Sequence, residues 1–437
     1  MSRLLVIIVF FGSFSGFGQD SLSLKKAIEI GLQKNFDIQL TQRNVAINQI
    51  MNSWGEAGSL PQININAGQN NSISDQRNNP ISFAPYLFQS NDVSGNLALN
   101  WTLFNGFGIQ ANKSKLEQLQ IQSENTATLA IENTIHGIIL SYYQAKMQRE
   151  QLNLIFNLIQ LSKEKYDQQV LKSNLGVGVK FELLQYENNL LADSSSFYLQ
   201  ELAYRNSIRN LNLLMGESIE KEWILSSEIK PELNDKDFNT LKNEMLANNT
   251  NIKNQFLNIS LNQQDISIAK SSFYPNLILN AGTNTSVGKL QTNDVNAPFP
   301  GASSQNLNYY ANFTLNFRLF NGGKVRRGIK ALEIQNEVNQ IQLEQMQQQL
   351  VLELSNTFAL YQTRKKIFEL NKKAFIASKE NLEIARFKEK TGLINSFNFR
   401  DIEMNYLSSG VNLYQSSFDL LESNATLLKL TGKIIQE

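Results

Sequence analysis

Apolar and polar residues alternate with period two in four stretches of the chain. Ile63, Ile65 and Ala67 interleave with Asn64, Asn66 and Gly68, and Leu97, Leu99, Trp101 and Leu103 with Asn96, Ala98, Asn100 and Thr102. Leu277, Leu279 and Ala281 mark a third stretch. In the fourth, Tyr309, Ala311, Phe313, Leu315, Phe317 and Leu319 alternate with Tyr310, Asn312, Thr314, Asn316 and Arg318. The pattern predicts strands over about 62–75, 93–104, 276–287 and 306–320, each with one face on an apolar medium and the other on water. Strands of about ten residues suit a tilted crossing of an outer membrane, and a half-buried sheet of a soluble domain shows the same periodicity.

Elsewhere the apolar spacing is helical. Ile334, Val338 and Ile341 step by four and three, as do Leu354, Phe358 and Tyr361, and Leu343, Met346, Leu350 and Leu354 continue a similar stripe. The stripe resembles a coiled coil without a strict heptad, as expected where each helix touches two neighbours. One helix leads into each strand pair (about 22–58 and 236–272). A very long one leaves it (about 105–173 and 322–390), and a third follows (about 178–215 and 394–432). The long helix spans on the order of 100 Å at about 1.5 Å per residue. The two shorter ones together hold nearly as many residues, which predicts an elongated tube rather than a globule. A soluble helical bundle is the alternative reading of the stripe.

The whole pattern occurs twice. Pro61-Gln-Ile-Asn-Ile-Asn-Ala-Gly68 recurs 214 residues later as Pro275-Asn-Leu-Ile-Leu-Asn-Ala-Gly282, and Leu103-Phe-Asn-Gly106 recurs 216 later as Leu319-Phe-Asn-Gly322. Gly176 matches Gly392, and Leu214-Met-Gly216 matches Leu430-Thr-Gly432. The chain therefore divides into repeats at 19–216 and 236–437, joined by a linker at 217–235 that carries Trp223 and Pro231 but no visible chemistry. Pro61 and Pro275 stand where helix becomes strand, since proline cannot donate to a ladder. Gly106 and Gly108, like Gly322 and Gly323, stand where strand becomes helix and allow a tight junction. Gly176 with Gly178, and Gly392, separate each long helix from its successor. Polar loops at 72–92 and about 288–306, the second with Pro298 and Pro300 near its middle, join the strands of each pair. Four strands cannot close a barrel, whose smallest members have eight. An open sheet in lipid would leave unpaired backbone groups. If the strands are membranous, several copies must share one barrel.

Composition removes most other chemistries. Of 437 residues 42% are apolar and 18% charged, with a net charge of +1, so nothing favours nucleic acid. There is no cysteine, and His136 is the only histidine. Disulfides, thiolate sites, histidine triads and histidine metal clusters are excluded. His136 itself is expected to be a packed or helix-surface imidazole. No phosphate loop, metal cluster or nucleophile constellation appears, so no enzyme, cofactor or metal is expected. Residues 1–18, with Arg3 before Leu4-Leu-Val-Ile-Ile-Val-Phe-Phe11, resemble an export signal too short to span a bilayer, with Gln19 as a mature start. Without a cysteine after it, an N-terminal lipid anchor is not expected. An exported coiled-coil scaffold or surface protein is the alternative to a channel.

These pieces together identify a resemblance. The Ala27-Ile-Glu-Ile-Gly-Leu-Gln-Lys-Asn35 helix, the two Pro-led strands, both Leu-Phe-Asn-Gly turns and both hairpin tips occur in the order of the TolC-like outer-membrane efflux proteins. The resemblance covers essentially the whole mature length. It implies a homotrimer in which three chains form a 12-stranded β-barrel continued by a long periplasmic α-helical barrel. It also implies a passive exit duct for efflux or type I secretion, in outer-membrane lipid, joined through a periplasmic adaptor to an inner-membrane pump. The linker would lie at the tunnel's waist, and no long extension to that waist is expected after the last helix. Acidic residues after the glycine turns would ring the periplasmic aperture, here Glu182 and Asp401. The chain departs from the family pattern at Asn398, where an acid is expected, and at Ile394, where an arginine is; Arg400 would take over the latching role. Leu175, Gly176, Val177, Gly178, Thr391, Gly392, Leu393 and Ile394 at the tips would contact the adaptor, because exposed apolar side chains at a hairpin end mark a partner.

Overall fold

The computed structural model describes residues 21–435 except 232, 234, 293, 296, 298 and 299. The expected export signal and Pro298 lie outside the described residues. The first repeat runs β1 (Ser21–Leu22), α1 (Leu24–Lys34), α2 (Phe36–Met51), β2 (Gln62–Asp75), β3 (Leu87–Asn105), α3 (Gly108–Asn174) and α4 (Lys180–Met215). After β4 (Ile224–Leu225) the order returns as α5 (Phe238–Asn248), α6 (Thr250–Ser271), β5 (Asn276–Thr292), β6 (Gly301–Asn316), α7 (Lys324–Lys390) and α8 (Ser396–Leu430). Mainly helical with a small set of strands, the chain has the predicted fold class. Its compact units are not its repeats. One holds the chain up to Thr41, Ala127–Thr250 and everything from Gln347; the other holds Gln42–Thr126 and Asn251–Met346. Each unit draws on both halves of the sequence.

The second unit is built on one antiparallel sheet in the order β2-β3-β5-β6. Its register places Ile63, Leu99, Ala281 and Ala311 in one row and Ile65, Leu97, Thr283 and Tyr309 in the next. The strands run further into the predicted loops than the alternation does: residues 72–75 pair with 87–90, Asn91 and Asp92 pair with Asn71 and Asn70, and Gly301–Gln305 pair with β5. Backbone pairing continues where side-chain alternation has faded, because the ladder itself needs no apolar face. Two strand ends correct the sequence reading. A register shift between Thr102 and Phe104 sets Phe104, not Leu103, opposite Leu277. β6 stops at Asn316, so Phe317 and Leu319 lie beyond the strand.

The strand-to-helix junction explains part of the glycine pattern. Gly106 and Phe107 both have positive φ, as do Gly322 and Gly323 at the equivalent places. The counterpart of Gly323 is therefore Phe107, not Gly108. Gly108 serves closeness instead, since a Cβ there would meet Ser271 Oγ at 2.8 Å. Phe107, the only non-glycine residue with positive φ among those described, packs edge-on against Phe104 and Tyr274 at ring separations of 5.4 and 6.0 Å. Such edge-to-face pairs are favourable and offset the cost of a left-handed conformation. Pro61 and Pro275 stand immediately before β2 and β5.

The first unit is helical, with β1 and β4 pairing as a short parallel ladder. The predicted continuous leading helices are broken, at Asn35 and at Asn249, whose ψ of 133° and 123° leave the helical region. The breaks are built alike. Asn35 Nδ2 donates to Leu214 O at 2.8 Å, and Asn249 Nδ2 donates to Leu430 O at 3.0 Å. Asn35 Oδ1 also accepts from Asp37 N and Ile38 N, capping α2. Each side chain thus ties a helix break to the end of a distant helix. Ala27, Gly31 and Asn35 step by four along the buried face of α1, and Gly31 lies so close to Ile138 that no Cβ fits without a shift. That spacing is the physical content of the Ala27–Asn35 motif.

The linker is more ordered than its composition suggests. Trp223 and Leu225 join a core with Leu22, Ile138, Tyr142 and Leu211. Trp223 Nε1 donates to Asn212 Oδ1 at 2.7 Å, and Tyr142 Oη donates to Leu22 O while accepting from Ser227 N. His136 is half-buried, 3.3 Å from Thr426 Oγ1, and burial with the nearby Lys429 charge pushes it down to about 4. It is a packed neutral imidazole, as expected.

Candidate functional site: the sheet faces and the helical tips

The register sorts the sheet into two chemically distinct faces. Since side chains alternate, Ile63, Ile65, Leu97, Trp101, Leu279 and Phe313 share one face, and most of this face is open; Ile65 is 79% exposed. Trp101 stays amphipathic, its Nε1 donating to Ser59 O at 2.8 Å. The opposite face carries two complete rows of amides. Gln62, Asn100, Asn280 and Asn312 stand side by side, as do Asn66, Asn96, Asn284 and Asn308. Asn96 Nδ2 donates directly to Asn284 Oδ1 across the strands. β2 and β6 are the sheet's edges, each paired on one side only. Among the described residues no helix is long and apolar enough to cross a membrane.

In the helical unit, the two glycine turns are built identically. Gly176 has φ +76° and Gly392 +74°, and both are caps in which the following amide reaches back: Val177 N donates to Lys172 O and Leu393 N to Lys388 O. Leu175, Val177 and Leu393 are 69%, 74% and 71% exposed. Phe181 and Phe397, 216 residues apart, are exposed neighbours with ring centroids 6.1 Å apart. Ile394 departs from its expected role as an exposed contact. It packs on Leu161, Leu382, Ala385 and Phe399 and helps close the bundle. Gly178 is held by space, since a Cβ would come within 2.6 Å of Ser173 N.

Behind the tips lies a buried polar network that sequence reasoning found only in part. Arg400 grips Asp193 with two bonds, Nη2 to Oδ1 at 2.5 Å and Nη1 to Oδ2 at 2.9 Å, and Nη1 reaches Glu403 Oε2 at 3.4 Å. Ser162 Oγ donates to Asp193 Oδ2 at 2.5 Å. Lys165 pairs with Glu389 and lies over the Phe399 ring. Asp193 and Glu403 are each 4% exposed, and Glu403 Oε1 is buried without a partner. Burial pushes Glu403 up to about 7, with Arg400 pulling it partly back. Burial, then the charges of Glu389, Glu182 and Glu403, push Tyr186 up to about 12.

Arg400 thus joins α8 to α4, while Lys165 and Glu389 join α3 to α7. Of the two expected aperture acids, Glu182 accepts from Gln169 Nε2 at 3.0 Å within its own hairpin, and Asp401 is exposed on α8. The structure does not bring Glu182, Asp401 and Arg400 into one cluster. Asp193, Glu403, Lys165 and Glu389 were missed. The available signal for Glu403 was its place on the stripe Phe399, Glu403, Tyr406, Gly410, where the spacing calls for an apolar residue. Among the described residues no group of three His, Cys, Asp or Glu side chains could hold a metal ion.

Comparison with known proteins bears on the fold. Residues 241–433 match the outer membrane efflux protein family. No curated protein sequence matches the chain. A membrane protein of Pseudomonas aeruginosa superposes with a TM-score of 0.74 at 16% identity, over 94% of this chain and 93% of that one. The CmeC outer membrane channel of Campylobacter jejuni gives 0.73 at 16% identity, over 94% and 85%. The open state of the MtrE outer membrane channel of Neisseria gonorrhoeae gives 0.68 at 16% identity, over 94% and 88%. The family match thus lies within the second repeat, at residues 241–433, and the chain as a whole has the fold of these outer-membrane channels.

Proposed function

We propose that the protein is a passive export duct of the outer membrane, in which several copies share one β-barrel. The observation that carries this reading is the sheet: one face apolar and exposed, the other coated with amides, and two edges left open. In lipid each unpaired edge group costs several kcal/mol, so β2 of one copy must meet β6 of another until the ring closes. The family resemblance sets the number at three, giving twelve strands. The helices then continue the duct into the periplasm, and no catalytic step is needed.

The exposed apolar tips, Leu175, Val177 and Leu393, are assigned to a periplasmic adaptor that links the duct to an inner-membrane pump, with Gly176, Gly178, Thr391 and Gly392 shaping the turns. Glu182 and Asp401 are assigned to the aperture, where three-fold repetition would make acidic rings that attract cations. Arg400 serves as a latch between hairpins rather than as a pore group, which its buried pairing with Asp193 supports. Reconstitution in a planar bilayer tests the reading. The expected result is a small, cation-preferring conductance that the double variant Glu182→Ala/Asp401→Ala makes larger or less cation-preferring. An unchanged channel in that variant would remove both residues from the gate, and a protein that forms no channel would refute the duct.

A further inference from the structure

The polar face of the sheet is notable for what its side chains are. Beyond the two amide rows, Asn64, Asn70, Asn276 and Asn306 also point to it by alternation. Among the described strand residues, Asp92 is its only carboxylate and no lysine or arginine stands on it; Lys289 falls on the other face, in the row of Asn91 and Ser303. Asp92 lies towards the loop end, accepts from Ser90 Oγ at 2.5 Å and leans over Gly288, where a Cβ would meet its Oδ1 at 2.4 Å. An amide side chain carries no charge at any pH and offers both donors and acceptors. A wall of such groups replaces water's hydrogen bonds without favouring either sign of charge.

We propose that the β-barrel section is a charge-blind passage: its amide wall accepts anionic, cationic and neutral polar solutes alike, and any sorting by charge occurs in the helical section. This rests on the duct reading above and adds the substrate class that the barrel tolerates. A wall built to select by charge would carry rings of carboxylates or of lysine and arginine at the same positions. Here three-fold repetition would multiply amides instead.

The test exploits the absence of cysteine from the chain. Single variants Asn96→Cys and Asn284→Cys in the full-length protein, placed in liposomes, would be treated with water-soluble cationic and anionic thiol reagents of similar size. Each rate is normalised to a small free thiol. The ratio of the two rates reports the local potential regardless of whether the periplasmic end is open. The expected ratio lies within about threefold of one at both positions, and a second variant carrying Asn280→Asp should raise the cationic preference several-fold. A preference beyond tenfold for either reagent in the single variants would overturn the proposal. Ile65→Cys on the apolar face should react with neither reagent. If Asn96→Cys and Asn284→Cys are equally unreactive, or if Ile65→Cys reacts as readily as they do, the amide face is not a water-filled wall and the duct reading falls with the proposal.

Discussion

The two repeats agree where the backbone must turn and differ where charge is buried. Asn35 and Asn249 make the same break and the same bond, to Leu214 and Leu430. Gly176, Gly216, Gly392 and Gly432 all end helices with positive φ. The buried ion pairs show no such symmetry. Shifted by 216 residues, Asp193 falls on Ser409, Arg400 on Leu184, Lys165 on Asn381 and Glu389 on Ser173. One hairpin supplies Lys165 and Asp193, and the other supplies Glu389 and Arg400. Duplication therefore preserved the geometry that any copy needs, while the chemistry joining the copies diverged into complementary halves.

The largest expected effect breaks the asymmetric part. Arg400→Ala leaves Asp193 and Glu403 buried without their cation and should cost about 3–5 kcal/mol. It would be read as faster hydrogen exchange in α4 and α8 together, with the sheet's protection unchanged. The triple variant Arg400→Met/Asp193→Leu/Glu403→Leu should recover most of that loss, because no charge is then stranded. Equal damage in both variants would show that the pairing itself, not the stranded charge, holds the hairpins.

Next comes pH. Glu403 holds its proton more tightly in the folded chain, up to about 7, than at its ordinary 4.5. Its contribution is therefore full below about 4.5 and is lost as pH rises through about 7, a difference of about 3 kcal/mol. Arg400, Asp193 and Lys165 are the charges that act on it, with Tyr186 and Glu389 close to the same network. Protection factors in α8, with the intrinsic pH dependence of amide exchange divided out, should fall between about pH 4.5 and 7 in the native chain and should lose that dependence in Glu403→Gln. A native profile as flat as the variant's would contradict the buried-acid account.

Smaller effects sharpen the symmetric part. Asn35→Ala and Asn249→Ala should each cost about 1–3 kcal/mol by stranding a buried carbonyl. The two losses should be alike, because the breaks make the same bond to a distant helix end; thermal melting of the helical signal would compare them. Gly176→Ala and Gly392→Ala should each cost about 1–2 kcal/mol, and nearly the same amount, because both glycines have positive φ and open space around the missing Cβ. Unequal losses would mean that the tips are not equivalent.

The sequence made the sheet legible because its apolar face alternates without interruption from Ile63 and from Tyr309, and the glycine turns legible because left-handed conformations leave few residue choices. The leading helices were misread because Asn35 and Asn249 look like ordinary polar positions on a helix; only the distant carbonyls of Leu214 and Leu430 show why the chain stops there. Phe107 was hidden because a phenylalanine rarely takes positive φ, and the rings of Phe104 and Tyr274 that support it come from separate segments. At the tips Arg400 could be suspected, but Asp193 and Glu403 could not be paired with it, since a carboxylate in a helix is ordinarily solvated and its partner lies 207 residues away in one case.

The claim on which everything else depends is that open β2 and β6 edges are closed by other copies of the chain. Native mass spectrometry of the detergent-purified protein measures this directly. The account predicts a particle of three chains, about three times 49.5 kDa less any cleaved signal, that loses solubility when detergent is removed. A single chain that stays in solution without detergent would contradict it, because the apolar face and both edges would then have to be satisfied within one copy.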